Sequence, residues 1–270
     1  MFDRFRSTLS LVSRIPVVGR FSFDASWIDF YLPVTGLFPA FLGALLFWGL
    51  DNSVLLVIIV LVVQYLGFNL FHLDGLVDTA DAFLGNFSAE KRAAILKDSR
   101  IGVYGLFAGI AALSLKVALL HALLPWIPQF PAPVLAYPLS GRFGAALLPA
   151  LVKPLRAEGL GVLVRNTRPW RAIAGILFSL LLWTALIWAL CTGAAGFKPC
   201  FSWSNAPPLA PLLILQALPL TGFLSALFFA RVYGKQLGGY TGDALGAAIE
   251  IGEILHLAAA FVILSIIAPF

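Results

Sequence analysis

Apolar residues in this chain run together instead of alternating with polar ones. Seven stretches stay almost wholly apolar: 31–50, 53–73, 101–124, 133–152, 172–195, 209–230 and 244–269. Each approaches or exceeds the roughly 20 residues a helix needs to cross the hydrocarbon of a bilayer. Backbone polar groups find no water there, so spans of this kind must be helical. The pattern predicts an all-α, polytopic integral membrane protein with about seven transmembrane helices. No repeat, low-complexity tract or long linker divides it, and residues 1–270 read as a single membrane-embedded domain.

The first twenty residues differ. Phe2, Phe5, Leu9 and Val12 recur at helical spacing with Arg4 and Arg6 beside them, the pattern of an amphipathic helix lying on a membrane surface. The apolar stretch around Leu9–Val12 is too short for a cleavable signal, and no small-residue cleavage site follows it.

Composition supports the membrane reading. The chain is 60% hydrophobic and 11% charged, against about 25% charged residues in soluble domains, and its mean hydropathy is +0.95. Basic residues fix an orientation. Arg4, Arg6, Arg14 and Arg20 precede the first span, and Lys91, Arg92, Lys97 and Arg100 lie between the second and third. Lys153, Arg156, Arg165, Arg168 and Arg171 lie between the fourth and fifth, and Arg231 and Lys235 between the sixth and seventh. These are 15 of the 18 Lys and Arg, so the N-terminus is expected in the cytoplasm. Lys198 falls on the opposite side, and Lys116 and Arg142 fall inside spans. A pI near 9.4 is thereby explained without nucleic acid. Cys191 and Cys200 fall on the outer side, where pairing and free thiols are both open.

Against this background the stretch FHLDGLVDTADAFLGNFSAEKRAAILKDSRIGVYG, residues 71–105, stands out. Asp74, Asp78, Asp81 and Asp98 are four of only 13 acidic residues. If the second helix continues past Leu73, Asp74, Asp78 and Asp81 are at i, i+4 and i+7 on one face, and Asp98 returns to about the same depth before the third span. Carboxylates so close repel one another unless a cation offsets them. Mg²⁺ is the natural candidate, because it takes hard oxygen ligands and commonly holds substrate phosphates too. The competing reading is a solvated helix end paired with Lys91, Arg92 and Lys97.

A second acidic group, Asp243, Glu250 and Glu253, lies in GGYTGDALGAAIEIGE at i, i+7 and i+10. The two glutamates fall within the last span, where ionisable groups usually face the bundle interior or a wet cavity. A substrate-binding role and structural pairing with Arg142 compete here. Lys97, Arg100, Arg142, Lys153 and Arg156 are the basic candidates for phosphate. His72, beside Asp74, is a further candidate, while His121 and His256 read as structural.

The run HLDGLVDTADAF followed by KRAAILKDSRIGVYG strongly resembles the signature of the cobalamin synthase (adenosylcobinamide-GDP ribazoletransferase) family. SRIP at 13–16, KPLRAEGLG at 153–161 and GGYTGDALGAAIEIGE agree in order and position. One departure is Ala82, where the family more typically has Gly. The resemblance implies a Mg²⁺-dependent transferase of vitamin B12 biosynthesis in a bacterial inner membrane, with its active site facing the cytoplasm. It would join α-ribazole or its 5′-phosphate to adenosylcobinamide-GDP and release GMP. The small-molecule substrates and the lipid bilayer are its expected partners, and self-association is left open. In that frame Asp78, Asp81, Asp98 and Asp74 would be metal ligands, and Asp74 or Asp243 the general base, with Lys97 also catalytic. Arg100, Arg142, Lys153, Arg156, Glu250 and Glu253 would bind substrate. The Asp78–Asp81 spacing is also similar to that of CDP-alcohol phosphotransferases, but Asn86 stands where that motif needs arginine. A cation-coupled transporter is the alternative outside enzymology; its expected midplane site fits poorly with the densest acids lying at the surface.

Overall fold

The computed structural model describes residues 2–49, 53–157, 159–191 and 215–268. Lys198 and Cys200, and with them the question of cysteine pairing, lie outside the described residues. Among the described residues the regular elements are helices.

Four helical segments are long and apolar enough to cross a membrane: Ile28–Phe47, Val103–Trp126, Pro169–Leu190 and Gly242–Ile267. A fifth is obtained if a pair bent by 89°, Val54–Phe68 and Leu70–Phe83, counts as one span. The described residues thus give four or five where the apolar runs predict about seven. One difference lies in the 133–152 run. It breaks at Ala136 into α8 (Pro131–Leu135) and α9 (Tyr137–Leu151), and 15 residues are fewer than a crossing needs. Every side chain of α9 from Tyr137 to Pro149 is buried. It is apolar because it is the centre of the bundle, not because it faces lipid.

Close packing on α9 relies on small residues, as helix association in lipid generally does. The last helix, α13 (Gly242–Ile267), meets α9 where Gly141 lies against Ile249 and Gly252; a Cβ on Gly252 would stand 2.9 Å from the Gly141 Cα. After α10 (Leu160–Leu163) and α11 (Pro169–Cys191), α12 (Gly222–Gln236) crosses α9 at Gly222 and Ser140 in the same way.

The N-terminal helix α1 (Phe2–Val12) buries Ser7, Thr8, Leu9 and Val12 and leaves Phe2 77% exposed. Phe5 packs its ring against Tyr31 and Phe38 at 5.9 and 6.1 Å, and Arg4 bonds Asp24 at 2.9 Å. The helix is therefore docked on α2 (Ile28–Thr35). After α3 (Leu37–Gly49), Ser53 caps α4 (Val54–Gln64). A π-helical turn over Tyr65–Asn69 follows, and the chain turns into α5 (Leu70–Phe83). Extra-residue turns of this kind recur at functional sites. α5 carries the acidic motif.

Candidate active site

α5 presents its carboxylates at graded depth. Asp74 is exposed, Asp78 half-buried and Asp81 buried. α13 crosses α5 at a glycine pair: a Cβ on Gly75 would stand 2.8 Å from the Asp243 carbonyl oxygen, and one on Gly246 2.9 Å from the His72 carbonyl oxygen. The crossing is possible only because neither residue has a side chain. It brings the first turn of α13, with Asp243, beside Asp74 and Asp78. Asp78 feels the charges of Asp74, Asp243 and Asp81.

Arg156 reaches the same place by another route. Tyr240 N–H donates to the Lys153 carbonyl at 2.9 Å, and Leu155 N–H donates to the Tyr240 carbonyl at 2.8 Å, making an isolated parallel bridge between Pro154 and Tyr240. The Tyr240 hydroxyl donates to the Gly161 carbonyl at 2.7 Å. KPLRAEGLG and GGYTGD, two separate motifs in the sequence, are thereby sewn into one loop pair. Arg156 then lies within electrostatic reach of Asp243, which also accepts the Thr241 hydroxyl at 3.0 Å. Lys153 and Arg156 are exposed, free to meet a polyanion from solution.

Asp81 faces the N-terminus of α7 (Val103–Leu123). Its oxygens accept Gly102 N–H at 2.7 Å and Gly105 N–H at 2.8 Å. A carboxylate is well placed there, where unpaired N–H groups and the helix dipole favour negative charge. The glycines of RIGVYG leave room for it, since a Cβ on either would run into the Asp81 carboxyl. Arg92, in α6 (Ala89–Ile95), holds the other end of α5: its guanidinium donates to the Ala82 carbonyl at 2.6 Å and lies 5.3 Å over the Phe83 ring.

Asp98 does not join the cluster. It accepts a fork of bonds from the Arg100 guanidinium at 2.6–3.1 Å and also the Arg100 N–H. These bonds hold its carboxyl down at about 2. Lys97 is exposed on the same turn. Lys97, Asp98 and Arg100 thus form an exposed group outside the Asp74–Asp78–Asp243 constellation.

Arg142, Glu250 and Glu253 belong to a third group, fully buried in the bundle. Lys116, from α7, donates to Glu250 at 2.7 Å, to Glu253 at 2.6 Å and to the Tyr65 hydroxyl at 2.9 Å. Tyr65 in turn donates to Glu250 at 2.6 Å, and Arg142 bonds Glu253 at 3.3 Å. Two cations and two anions balance, as buried charges must. Arg142 pairs with Glu253 as the structural reading of the sequence expects. Lys116 and Tyr65 were not singled out in the sequence. A mid-span lysine opposite two mid-span glutamates was the available signal. His256 Nε2–H donates to the Pro133 carbonyl at 2.7 Å.

The site is thus a set of carboxylates with one arginine, at the mouth of an apolar bundle. The model of the family described as cobalamin-5-phosphate synthase matches residues 4–261. The chain belongs to the cobalamin-5-phosphate synthase family. Proteins named adenosylcobinamide-GDP ribazoletransferase are similar over most of its length. That of Bradyrhizobium diazoefficiens is 33% identical over 88% of this chain and 83% of its own. That of Shewanella putrefaciens is 32% identical over 94% and 91%, and that of Clostridioides difficile 29% over 94% and 95%. No solved structure matches.

For a cobalamin-5-phosphate synthase family member the donor set matters more than a finished cage. Among the described residues no three His, Cys, Asp or Glu side chains stand ready to hold a metal by themselves. Mg²⁺ seldom asks for that; it commonly takes one or two carboxylates and completes its shell with water and substrate phosphates. Asp74 and Asp78, hard anionic donors at the accessible end of α5, suit such a shared site.

Proposed function

We propose that the chain is the transferase that joins α-ribazole, or its 5′-phosphate, to adenosylcobinamide-GDP and releases GMP, in assembly of the nucleotide loop of vitamin B12. The ribose 3′-hydroxyl oxygen forms a bond to the phosphorus attached to cobinamide. The bond from that phosphorus to the bridging oxygen breaks, and GMP leaves with that oxygen. The hydroxyl proton passes to a carboxylate. Such transfers rest on positioning and charge neutralisation more than on covalent chemistry.

The observation that carries this reading is the Gly75–Gly246 crossing, which puts Asp74 and Asp78 beside Asp243 with Arg156 in electrostatic reach. We assign Mg²⁺ to Asp78 and Asp74, with Asp243 free to accept the hydroxyl proton; bound there, the ion would neutralise pyrophosphate charge. Asp81 fixes the depth of α5 against α7. Arg156 and Lys153 draw the diphosphate in. By the sequence's loop assignment the acidic end of α5 and the 153–156 loop fall on the side carrying 15 of the 18 Lys and Arg, which supports a site facing the cytoplasm from a bacterial inner membrane.

The test is purified protein in detergent or nanodiscs with Mg²⁺, adenosylcobinamide-GDP and α-ribazole phosphate. GMP release that requires both organic substrates is expected. Solute flux without GMP release would overturn the assignment in favour of a transporter.

A further inference from the structure

Two cavities meet at Asp74. The larger, about 440 Å³, opens beside Arg14, Gly67 and Ile101. The smaller, about 220 Å³, lies beneath α1 and is lined by Val12, Ile28, Leu32, Ala145, Val164 and Ile249 among others. Phe71 and Asp74 line both, so the accessible end of α5 is the partition between them.

The smaller cavity has a distinct chemistry. Its walls are mostly aliphatic, and Val12, Ile28, Leu32, Ala145, Val164 and Ile249 are themselves buried; Asp74 and Asp243 are its charged groups. His72 also lines it, is 2% exposed, and has no hydrogen-bond partner at Nδ1. A buried ring nitrogen without a partner is costly in a folded protein, and a bound ligand that completes the bond removes that cost.

We infer that this cavity is the seat of the aromatic base of the ribazole substrate, an inference that rests on the function proposed above. The size fits one ring system, being below the roughly 300–1,000 Å³ of sites for drug-sized ligands; the corrin is excluded. The lining separates the two bases in the reaction. Guanine carries several donors and acceptors on its edge, most of which this wall would leave unpaired. A benzimidazole-type base is apolar apart from one free ring nitrogen, which His72 Nδ1 can satisfy. Seated there, the base hands its ribose toward Asp74 and Asp243, of which Asp243 is the carboxylate left to take the hydroxyl proton. The diphosphate then approaches from the larger groove, across Asp74.

Two variants test the seat in the GMP-release assay. Val164→Phe, which fills the cavity, should raise KM for α-ribazole phosphate at least tenfold, with KM for adenosylcobinamide-GDP changed less than twofold. Leu32→Ala, which enlarges it, should shift relative kcat/KM at least tenfold toward a ribazole analogue bearing a larger, tricyclic base. That gain is one a damaged protein cannot mimic. Wild-type α-ribazole KM in Val164→Phe, together with unchanged base preference in Leu32→Ala, would overturn the seat while leaving the transferase reading intact. A wild-type protein that releases no GMP would overturn both.

Discussion

Asp78 and Asp81 differ by one helical turn in sequence and by role in the structure. Asp81 spends both oxygens on the N–H groups of Gly102 and Gly105, so its removal is first a loss of anchoring. Asp81→Asn should cost about 1–2 kcal/mol of stability, the value of a charged cap at a helix N-terminus, read as a lower Tm in detergent. Asp78 sits among like charges. Asp78→Asn should leave Tm unchanged or raised, and should reduce GMP release at least about 100-fold, the scale of a lost electrostatic or acid–base contribution. Equal activity in both variants and wild type would remove these carboxylates from the chemistry. Asp98 gives the pH counterpart. Its carboxyl is held near 2, below the usual 3.8, by Arg100. What the charged form contributes is therefore complete above about pH 4 and is lost only as pH falls toward 2. Asp98→Asn should therefore leave the acid limb of the pH–rate profile between pH 5 and 7 in place; a displaced limb would make Asp98 one of the groups that define it.

The crossing of α5 and α13 is what turns motifs into a site, and it tolerates no side chain. Gly75→Ala and Gly246→Ala would each push a methyl group into backbone, and overpacking of this kind costs about 1–3 kcal/mol. Both should lower Tm and, by parting Asp78 from Asp243, lower kcat more than they raise either KM. Gly67→Ala, where an added Cβ meets nothing within 4 Å, is the control and should leave Tm unchanged. The part of the site carried by α5 was legible in the sequence because helical spacing alone aligns Asp74, Asp78 and Asp81. The approach of Arg156 to Asp243 was not, because it depends on backbone bonds between Lys153, Leu155 and Tyr240, residues separated by some 85 positions with no side-chain pattern to announce the pairing. Asp98 misled for a related reason: depth before the third span placed it near the others, but a local fork with Arg100, two residues on, captured it first.

The bundle as a whole is organised around α9, and hydropathy alone could not distinguish that buried helix from a lipid-facing one. Apolar runs report removal from water, whether by lipid or by protein. Mid-span charges carry the missing information, since they must point inward. Arg142, Glu250 and Glu253 were legible as such; Lys116, read only as lying within a span, completes them. This cluster joins α7, α9, α13 and, through Tyr65, the π-helical turn that precedes α5. It therefore ties the bend above the acidic motif to the helix that carries Asp243. Lys116→Met would remove one of the cluster's two cations from beside two buried glutamates, and breaking a buried pair from one side costs about 3–5 kcal/mol. Poor accumulation in the membrane and a sharply lowered Tm are expected. Lys116→Met combined with Glu250→Gln leaves Glu253 and Arg142 balanced, and should recover more than half of the lost Tm. Because the cluster is buried and holds no substrate in the reading above, the recovered double variant should keep the wild-type KM for both substrates. A double variant as stable as wild type but with KM for adenosylcobinamide-GDP raised tenfold would instead make these buried charges part of the binding site.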